Sequence, residues 1–293
     1  MKRLMREVTT SDGRTLRVYE GGDPAGKPVF LHNGTPSGGL QYPPAADDAR
    51  GRGIRLISYD RPGYAGSTSK PGRTVADAAA DVATIADALG VDRFATWGIS
   101  GGGPHSLACA ALLSDRVVAA ASLAGVAPID AEGLDWTEGM GEENLEEFAA
   151  TQAGQEALES FLEPRAKALG ALGTQGLATM LQTLLTPVDA AVFTGDVAEY
   201  LSAAMASAIE ERVDGWRDDD LAFDNPWGFA VEEIRVPVLL WHGEHDLFVP
   251  ISHGRWLAER IPGVDARLSP DDGHITLGTR RVPEVHAWLL ERF

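Results

Sequence analysis

A strand–turn–helix pattern around Ser100 is the feature that most constrains how this chain of 293 residues folds. The run from Phe94 to Ile99 is short and apolar, as in a buried strand, and an apolar run beginning at His105 predicts a helix. The chain must turn sharply between them, and Gly98 and Gly102 flank the serine two positions away on each side. Bulkier residues would clash in so tight a turn, so the pattern predicts a serine side chain pushed out of the sheet.

A serine at such a turn indicates nucleophilic chemistry. Its hydroxyl becomes a good nucleophile only when a neighbouring base removes the proton, and the free N–H groups of the following helix favour developing negative charge. The G-x-S-x-G pattern alone also occurs in plain turns, and the strand–turn–helix context is what makes it informative. The rest of the chain is therefore expected to contain a histidine, a carboxylate that orients it, and donors for an oxyanion.

Strands and helices alternate over most of the chain. Such alternation predicts an α/β fold with a mostly parallel sheet covered by helices on both faces. The predicted strands cover 28–32, 55–59, 94–99, 117–123, 236–241 and a segment near 266–268, after a β-hairpin over 6–19. The first predicted helix ends near residue 52. The others cover 74–89, the run after Ser100, 252–260 and 282–293.

The alternation stops between residues 130 and 231, where the sequence is rich in alanine and glutamate and is broken by glycine and proline. This pattern favours a helical insertion, so we predict a core domain of residues 1–129 and 232–293 and a helical cap domain of residues 130–231. The segment 130–230 holds 21 of the 43 Asp and Glu residues but only 4 of the 25 Lys and Arg residues. Nearly all of the net charge of −18 therefore lies in the insertion.

Charge and composition restrict the partners of the chain. A net charge of −18 disfavours nucleic acids and anionic membrane surfaces. No apolar run is long enough to cross a bilayer, and residues 1–7 lack the apolar core of a secretory signal. The single cysteine, Cys109, cannot form an intrachain disulfide. These features predict a cytoplasmic protein that acts on a small molecule, and they leave its oligomeric state open.

The sequence contains no pattern that predicts a cofactor. There is no Walker loop, and the glycines at 101–103 lack the spacing of a dinucleotide fingerprint. His242 and His245, with Glu244 between them, lack a third ligand at a suitable spacing for a metal. We therefore expect neither a cofactor nor a metal.

Two loops after later strands contain partners for Ser100. Loops at the carboxyl ends of parallel strands meet in one crevice. Asp246 follows the strand at 236–241 and is the predicted orienting acid, although a role in capping the turn before Pro250 is an alternative. His274 lies in the loop after the last strand, where its imidazole is expected to swing toward Ser100. The rival acids are Glu244, Asp271 and Asp272.

A third loop, after the strand at 28–32, is the predicted second half of an oxyanion hole. The backbone N–H of Thr35 is expected to act beside that of Gly101, because Pro36 has no N–H to donate. The order Ser, Asp, His along the chain also matches that of triads on parallel α/β sheets.

These residues resemble those of the α/β-hydrolase superfamily over nearly the whole chain. The matching positions are 33–36, 60–64, 98–102, Asp246 and His274. The resemblance implies an eight-stranded, mostly parallel sheet with a helical cap inserted after the sixth strand. Within the superfamily the chain is most similar to the branch of proline iminopeptidase-like and esterase-like proteins. It departs from the iminopeptidases at the elbow, because they usually carry a Gly-Gly-Ser-Trp-Gly arrangement whereas here Ile99 and Gly101 flank the serine. The serine at position 100 excludes a nucleophilic aspartate there.

The predicted function is a cofactor-independent serine hydrolase of small carboxylic esters or amides. Ser100 attacks the carbonyl, His274 transfers the proton, Asp246 orients the imidazole, and the N–H groups of Gly101 and Thr35 bind the oxyanion. An aminopeptidase would use the same triad. A third possibility, from another class, is a non-hydrolytic protein that binds a ligand on this scaffold.

The insertion contains further candidate residues for substrate binding. Four glutamates form two like-charge pairs four residues apart, which destabilises a helix slightly. Glu143 and Glu147 are the candidates for binding a substrate amine, as in iminopeptidase-like caps, whereas a solvated helix N-terminus is the simpler interpretation. The four glutamates are Glu142, Glu143, Glu146 and Glu147. Trp136, Trp216 and Trp227 are predicted to line an apolar pocket or, equally, to form the core of the cap.

Overall fold

A computed structural model of the chain describes residues 4–209 and 212–293, apart from the side chain of Leu172. It contains one eight-stranded sheet with the order β1-β2-β4-β3-β5-β6-β7-β8. The strands are β1 (Leu4–Thr9), β2 (Thr15–Gly22), β3 (Lys27–His32), β4 (Ile54–Tyr59), β5 (Phe94–Ile99), β6 (Val117–Leu123), β7 (Val238–Gly243) and β8 (Asp265–Ser269). β2 pairs antiparallel with β1 and with β4, and the other neighbours are parallel. The predicted mostly parallel sheet is confirmed.

Eleven α-helices lie in the described residues. They are α1 (Pro43–Gly51), α2 (Asp77–Ala88), α3 (Gly102–Leu112), α4 (Glu142–Gln152), α5 (Gln155–Met180), α6 (Pro187–Ala190), α7 (Gly195–Ile209), α8 (Asp214–Phe223), α9 (Ile251–Arg260), α10 (His274–Arg280) and α11 (Val282–Leu290). None of these helices is long and apolar enough to cross a lipid bilayer.

The central strands of the sheet are buried on both faces, as in other parallel α/β sheets, whereas the edge strands β1 and β8 are mostly exposed or half-buried. Every residue of β6 and of β7 is buried, which explains why both strands are continuous apolar runs in the sequence. Side chains of α1 and α11 pack with strand residues in one apolar cluster. Side chains of α2 and α3 pack in two other clusters, with alternate residues of the strands. The loops that follow the parallel strands are thus held in place by a rigid layer.

The helices α4 to α8 lie between β6 and β7, at the position predicted for a helical insertion. α4, α5, α7 and α8 share an apolar cluster that includes Leu158, Leu162 and Trp216, and Tyr64 from the loop after β4 packs into the same cluster. The division into a core and a cap at residues 130 and 231 remains a prediction.

Candidate active site

Ser100 occupies a tight turn between β5 and α3. Its φ angle is +53°, in the left-handed region that residues with a side chain rarely adopt. A Cβ atom on Gly98 would lie 2.0 Å from the carbonyl oxygen of Gly102, and one on Gly102 would lie 2.0 Å from that of His32. Both flanking positions therefore require glycine, and the backbone at Ser100 is held in a conformation that favours a functional explanation.

His274 and Asp246 form a close pair at the carboxyl edge of the sheet. The imidazole Nδ1 lies 2.7 Å from Asp246 Oδ2. The other carboxylate oxygen, Oδ1, accepts the backbone N–H groups of Phe248 and Val249, each at 2.8 Å. Because both oxygens of this buried carboxylate have partners, Asp246 is fixed in position and in turn fixes the tautomer of the ring.

The electrostatic surroundings of His274 favour its protonated form. Burial by itself lowers the pKa of the imidazole, but the charge and hydrogen bond of Asp246 oppose burial, with a further contribution from Asp189, and the pKa is raised. This arrangement stabilises the imidazolium that forms when a base accepts a proton from a neighbouring hydroxyl. His274 is therefore suited to act as a general base.

The prediction that His274 lies in the loop itself is wrong. His274 is the first residue of α10. Its ring stacks on Phe248, with the ring centroids 4.4 Å apart and the planes 16° from parallel. Packing and helix formation therefore hold the imidazole, which does not swing freely.

The rival acids do not pair with His274. Glu244 and Asp271 are exposed. Asp272 is buried, but its Oδ2 accepts the hydroxyl of Ser269 at 2.6 Å and Nε–H of Arg281 at 2.9 Å. Among the four candidate carboxylates, Asp246 is the one that contacts the imidazole.

Two cavities meet at Ser100. The first, of about 150 Å³, is mostly apolar, and His274 lies in its wall. Its apolar lining includes Leu31, Tyr42, Trp97, Ile99, Leu177 and Tyr200. The second, of about 550 Å³, includes Gly101 and a group of carboxylates. Thr35 and Phe248 line both cavities, so one molecule bound across Ser100 can extend into each of them.

The loop after β3 packs against Ser100. A Cβ atom on Gly34 would lie 3.2 Å from that of Ser100, and one on Gly101 would lie 2.4 Å from the hydroxyl oxygen of Thr35. The side-chain amide of Asn33 donates to the carbonyl oxygens of Gly38 and Leu40, which fixes the loop. Thr35 and Gly101 thus lie side by side next to the serine, and their role as an oxyanion hole remains a prediction.

The hydroxyl of Thr35 has a partner that the sequence analysis missed. It donates to Asp219 Oδ2 at 2.7 Å, and Arg61 and Arg73 approach the same carboxylate to 2.6 and 2.7 Å. The hydroxyl of Tyr64 donates to it at 2.8 Å. Burial raises the pKa of Asp219, but the two arginines outweigh burial and hold it well below the usual range. A charged cluster centred on Asp219 of α8 is therefore bonded directly to the loop beside Ser100.

The three candidate tryptophans have different surroundings. Trp216 lines the second cavity, and its Nε1–H donates to Glu147 at 2.6 Å. Trp136 and Trp227 line neither cavity at Ser100, which corrects their proposed role in substrate binding. Both are buried in an apolar cluster, where Trp136 packs on Phe148 with the ring centroids 4.1 Å apart. The sequence does not distinguish a tryptophan that lines a cavity from one that packs in an apolar cluster, because both are buried.

The structure also separates the four glutamates of α4. Glu142 and Glu143 lie in its first turn, where carboxylates suit the helix dipole, and Glu146 pairs with Arg165 at 2.9 Å. Glu147 lines the second cavity together with Asp220 of α8, which no pattern in the sequence indicated. Burial, followed by the charge of Glu147, raises the pKa of Asp220 well above its usual range.

Comparison with known proteins places the chain in a family. A sequence model described as the alpha/beta hydrolase fold matches residues 27–280. The chain therefore belongs to the alpha/beta hydrolase fold family, as its sheet order and serine turn indicate.

Individual relatives are named for different activities. A non-heme chloroperoxidase of Streptomyces lividans is 28% identical, with 84% of each chain covered. A proline iminopeptidase of Xanthomonas citri is 26% identical, with 94% of each chain covered. Among solved structures, a thermophilic esterase of Thermogutta terrifontis superposes with a TM-score of 0.72 at 20% identity, with 99% of each chain covered. This last similarity demonstrates a shared fold only.

Proposed function

We propose that the protein is a serine hydrolase that cleaves a small carboxylic ester or amide through an acyl-enzyme. The observation that carries this proposal is the pair of His274 and Asp246, 2.7 Å apart, with His274 in the wall of a cavity that Ser100 also lines. The left-handed backbone at Ser100 supports it, because strained residues concentrate at functional sites. Hydrolases among the relatives are consistent with the same chemistry.

Each residue has a defined task in the proposed reaction. Ser100 Oγ attacks the carbonyl carbon while His274 Nε2 takes its proton, and Asp246 stabilises the resulting imidazolium. The backbone N–H groups of Thr35 and Gly101 donate to the oxyanion of the tetrahedral intermediate. His274 then protonates the leaving group, and a water activated by the same imidazole hydrolyses the acyl-enzyme.

The two cavities suggest how a substrate is oriented. His274 gives its proton to the leaving group and lines the small apolar cavity, so the alcohol or amine product is expected there. The acyl group then extends into the larger cavity beside Gly101. The predicted substrate is thus a small ester or amide with an apolar leaving group.

The proposed location is cytoplasmic, and the single buried Cys109 is compatible with it.

The first test is labelling with a fluorophosphonate, followed by intact mass. The wild-type protein should gain one adduct, and Ser100→Ala should gain none while retaining its circular dichroism spectrum. Ser37→Ala is a matched control, because Ser37 lines the same cavity but lies outside the turn, and it should still be labelled. A folded wild-type protein that takes up no adduct would contradict the proposal and favour a non-hydrolytic, ligand-binding protein.

A second candidate function is the release of an amino-acyl group, as in an aminopeptidase. The specific observation in its favour is the carboxyl pair of Glu147 and Asp220 in the wall of the acyl cavity, with Glu143 nearby. A substrate ammonium beside this pair would favour the ionised form of both carboxyl groups, which would then surround one cation. This arrangement would favour acyl groups with a free amine over neutral ones.

This candidate predicts a selective change in KM. Glu147→Gln and Asp220→Asn should each raise KM for an amino-acyl ester roughly 10-fold or more, the effect of losing one charge-assisted contact of about 1.5–3 kcal/mol. KM for the matched ester without the amine should change less than about 2-fold, because a neutral acyl group does not use the charge. Glu156→Gln, an exposed charge at the start of α5, is the control for net charge. Equal changes for both esters would rule out amine recognition by this pair.

A further inference from the structure

We infer that Asp189, in the helical insertion, is a positioning residue for His274. Asp189 lies in α6, 85 positions before His274 in the sequence, and its side chain is fully buried. One of its oxygens accepts the backbone N–H of His274 at 2.8 Å. The other accepts the N–H groups of Ile275 and Thr276 at 2.9 and 3.0 Å. The inference rests on the proposed function, because it assigns a role toward the proposed general base.

These three bonds provide what α10 lacks in its own sequence. The first N–H groups of a helix have no partners within it, and usually a side chain at the preceding position accepts one of them. In α10 the preceding residue is Gly273, which has no side chain. The carboxylate of Asp189 therefore acts as the cap of α10 from a distant part of the chain, with three charge-assisted hydrogen bonds.

The absence of a side chain at Gly273 also permits the contact. A Cβ atom there would lie 2.4 Å from Asp189 Oδ2, closer than packing allows. Thr186 stands at the start of α6, and its hydroxyl accepts the N–H of Asp189 at 3.5 Å. Gly273 and Thr186 together thus direct the carboxylate of Asp189 toward the first turn of α10.

The consequence is that two carboxylates define the position of His274. Asp246 holds the ring at Nδ1, whereas Asp189 holds the backbone from which the ring projects. The charged or titratable groups that face the imidazole are Asp246 and His242 from the β7 region and Asp189 from α6. Both carboxylates favour the imidazolium, and His242 opposes it. A shift of α6 would therefore move the base and change its protonation.

The experiment compares the wild-type protein with Asp189→Asn. Asparagine keeps the shape but has one acceptor oxygen and no charge, so the start of α10 should shift. We expect kcat for a neutral ester to fall roughly 10- to 100-fold, the effect of a small displacement of a reacting group, with KM within about 2-fold. The pKa of His274, followed by NMR titration of its imidazole, should fall because one nearby negative charge is lost.

A matched control separates positioning from stability. Asp77 likewise accepts a backbone N–H at the start of a helix, that of Thr74 at 2.7 Å, but it lies at α2, away from the site. Asp77→Asn should lower the melting temperature without changing kcat or the titration of His274. A folded Asp189→Asn protein with the wild-type kcat and the wild-type titration would overturn the inference.

A second variant tests the inference if Asp189→Asn does not fold, and the NMR titration tests it if the protein does not hydrolyse esters. If Asp189→Asn does not fold, Asp189→Glu keeps the charge but moves it by one methylene group, and it should fold with reduced kcat and a smaller change in the titration. An unchanged kcat in that variant would also overturn the inference. The NMR titration needs no turnover. If the wild-type protein neither hydrolyses esters nor reacts with the fluorophosphonate, the proposed function fails, and the effect of Asp189 on His274 is still measured.

Discussion

Asp246→Asn is expected to lower kcat for ester hydrolysis about 10⁴-fold, the size that loss of the orienting carboxylate has in serine–histidine–aspartate triads. The amide can replace one oxygen, but it carries no charge to stabilise the imidazolium and can donate to the ring, which favours the wrong tautomer. The hydrogen bonds of Oδ1 to Phe248 and Val249 require only an acceptor, so the loop should remain folded. Single-turnover kinetics would measure the change.

The same variant should alter the pH profile. Catalysis needs the neutral imidazole, so kcat/KM rises as the pH rises through the pKa of His274. Burial lowers that pKa, but Asp246 raises it above the ordinary value of 6.5, so the wild-type profile should rise at a higher pH than an unperturbed histidine would give. Without the carboxylate charge, burial dominates and the acid limb should move to lower pH. Asp271→Asn, an exposed rival acid, is the control and should change neither quantity.

Asp219→Ala is expected to destabilise the protein by about 3–5 kcal/mol, because it leaves buried arginine charges without their partner. Arg61 and Arg73 are each 3% exposed at the side chain and Asp219 is 0% exposed, so water cannot readily replace the lost carboxylate. Denaturant unfolding, with the slope checked for two-state behaviour, would measure the loss. Activity should fall as well, since the variant releases the hydroxyl of Thr35.

Two companion variants test this explanation. Asp214→Ala removes an ion pair with Arg217 from the same helix, but the carboxylate is 29% exposed, so the loss should cost less than about 1 kcal/mol. Thr35→Val removes only the hydroxyl contact and should cost about 1 kcal/mol. A small effect of Thr35→Val on kcat would indicate that the backbone N–H alone carries the proposed oxyanion contact. An Asp219→Ala protein as stable as the wild type would contradict the importance of the buried cluster.

Both Asp189 and Asp219 belong to the helical insertion, and they contact opposite sides of the site. Asp189 accepts the N–H groups at the start of α10, beside the proposed base. Asp219 accepts the hydroxyl of Thr35, beside the proposed oxyanion hole. The insertion therefore does more than cover the cavities, because its folding is linked to the position of the groups on each side of Ser100.

The elements that depend on local sterics and burial could be predicted from the amino-acid sequence. The glycines at 98 and 102 specify the sharp turn at Ser100, because any Cβ atom there would clash with nearby backbone. The apolar runs of β5 and β6 specify buried parallel strands, and both strands have the predicted bounds. The pairing of Asp246 with His274 followed from the rule that loops after parallel strands converge.

The contacts made by the insertion could not be predicted from the sequence, because they arise from long-range packing. α10 has 7 residues and a glycine at its N-cap, so neither its start at His274 nor its dependence on Asp189 is visible in the local sequence. Asp219 and Asp220 are adjacent in the sequence, yet Asp219 meets two arginines and Asp220 meets a glutamate. The physical reason is that burial and partner distance set the behaviour of a carboxylate, and both depend on long-range packing.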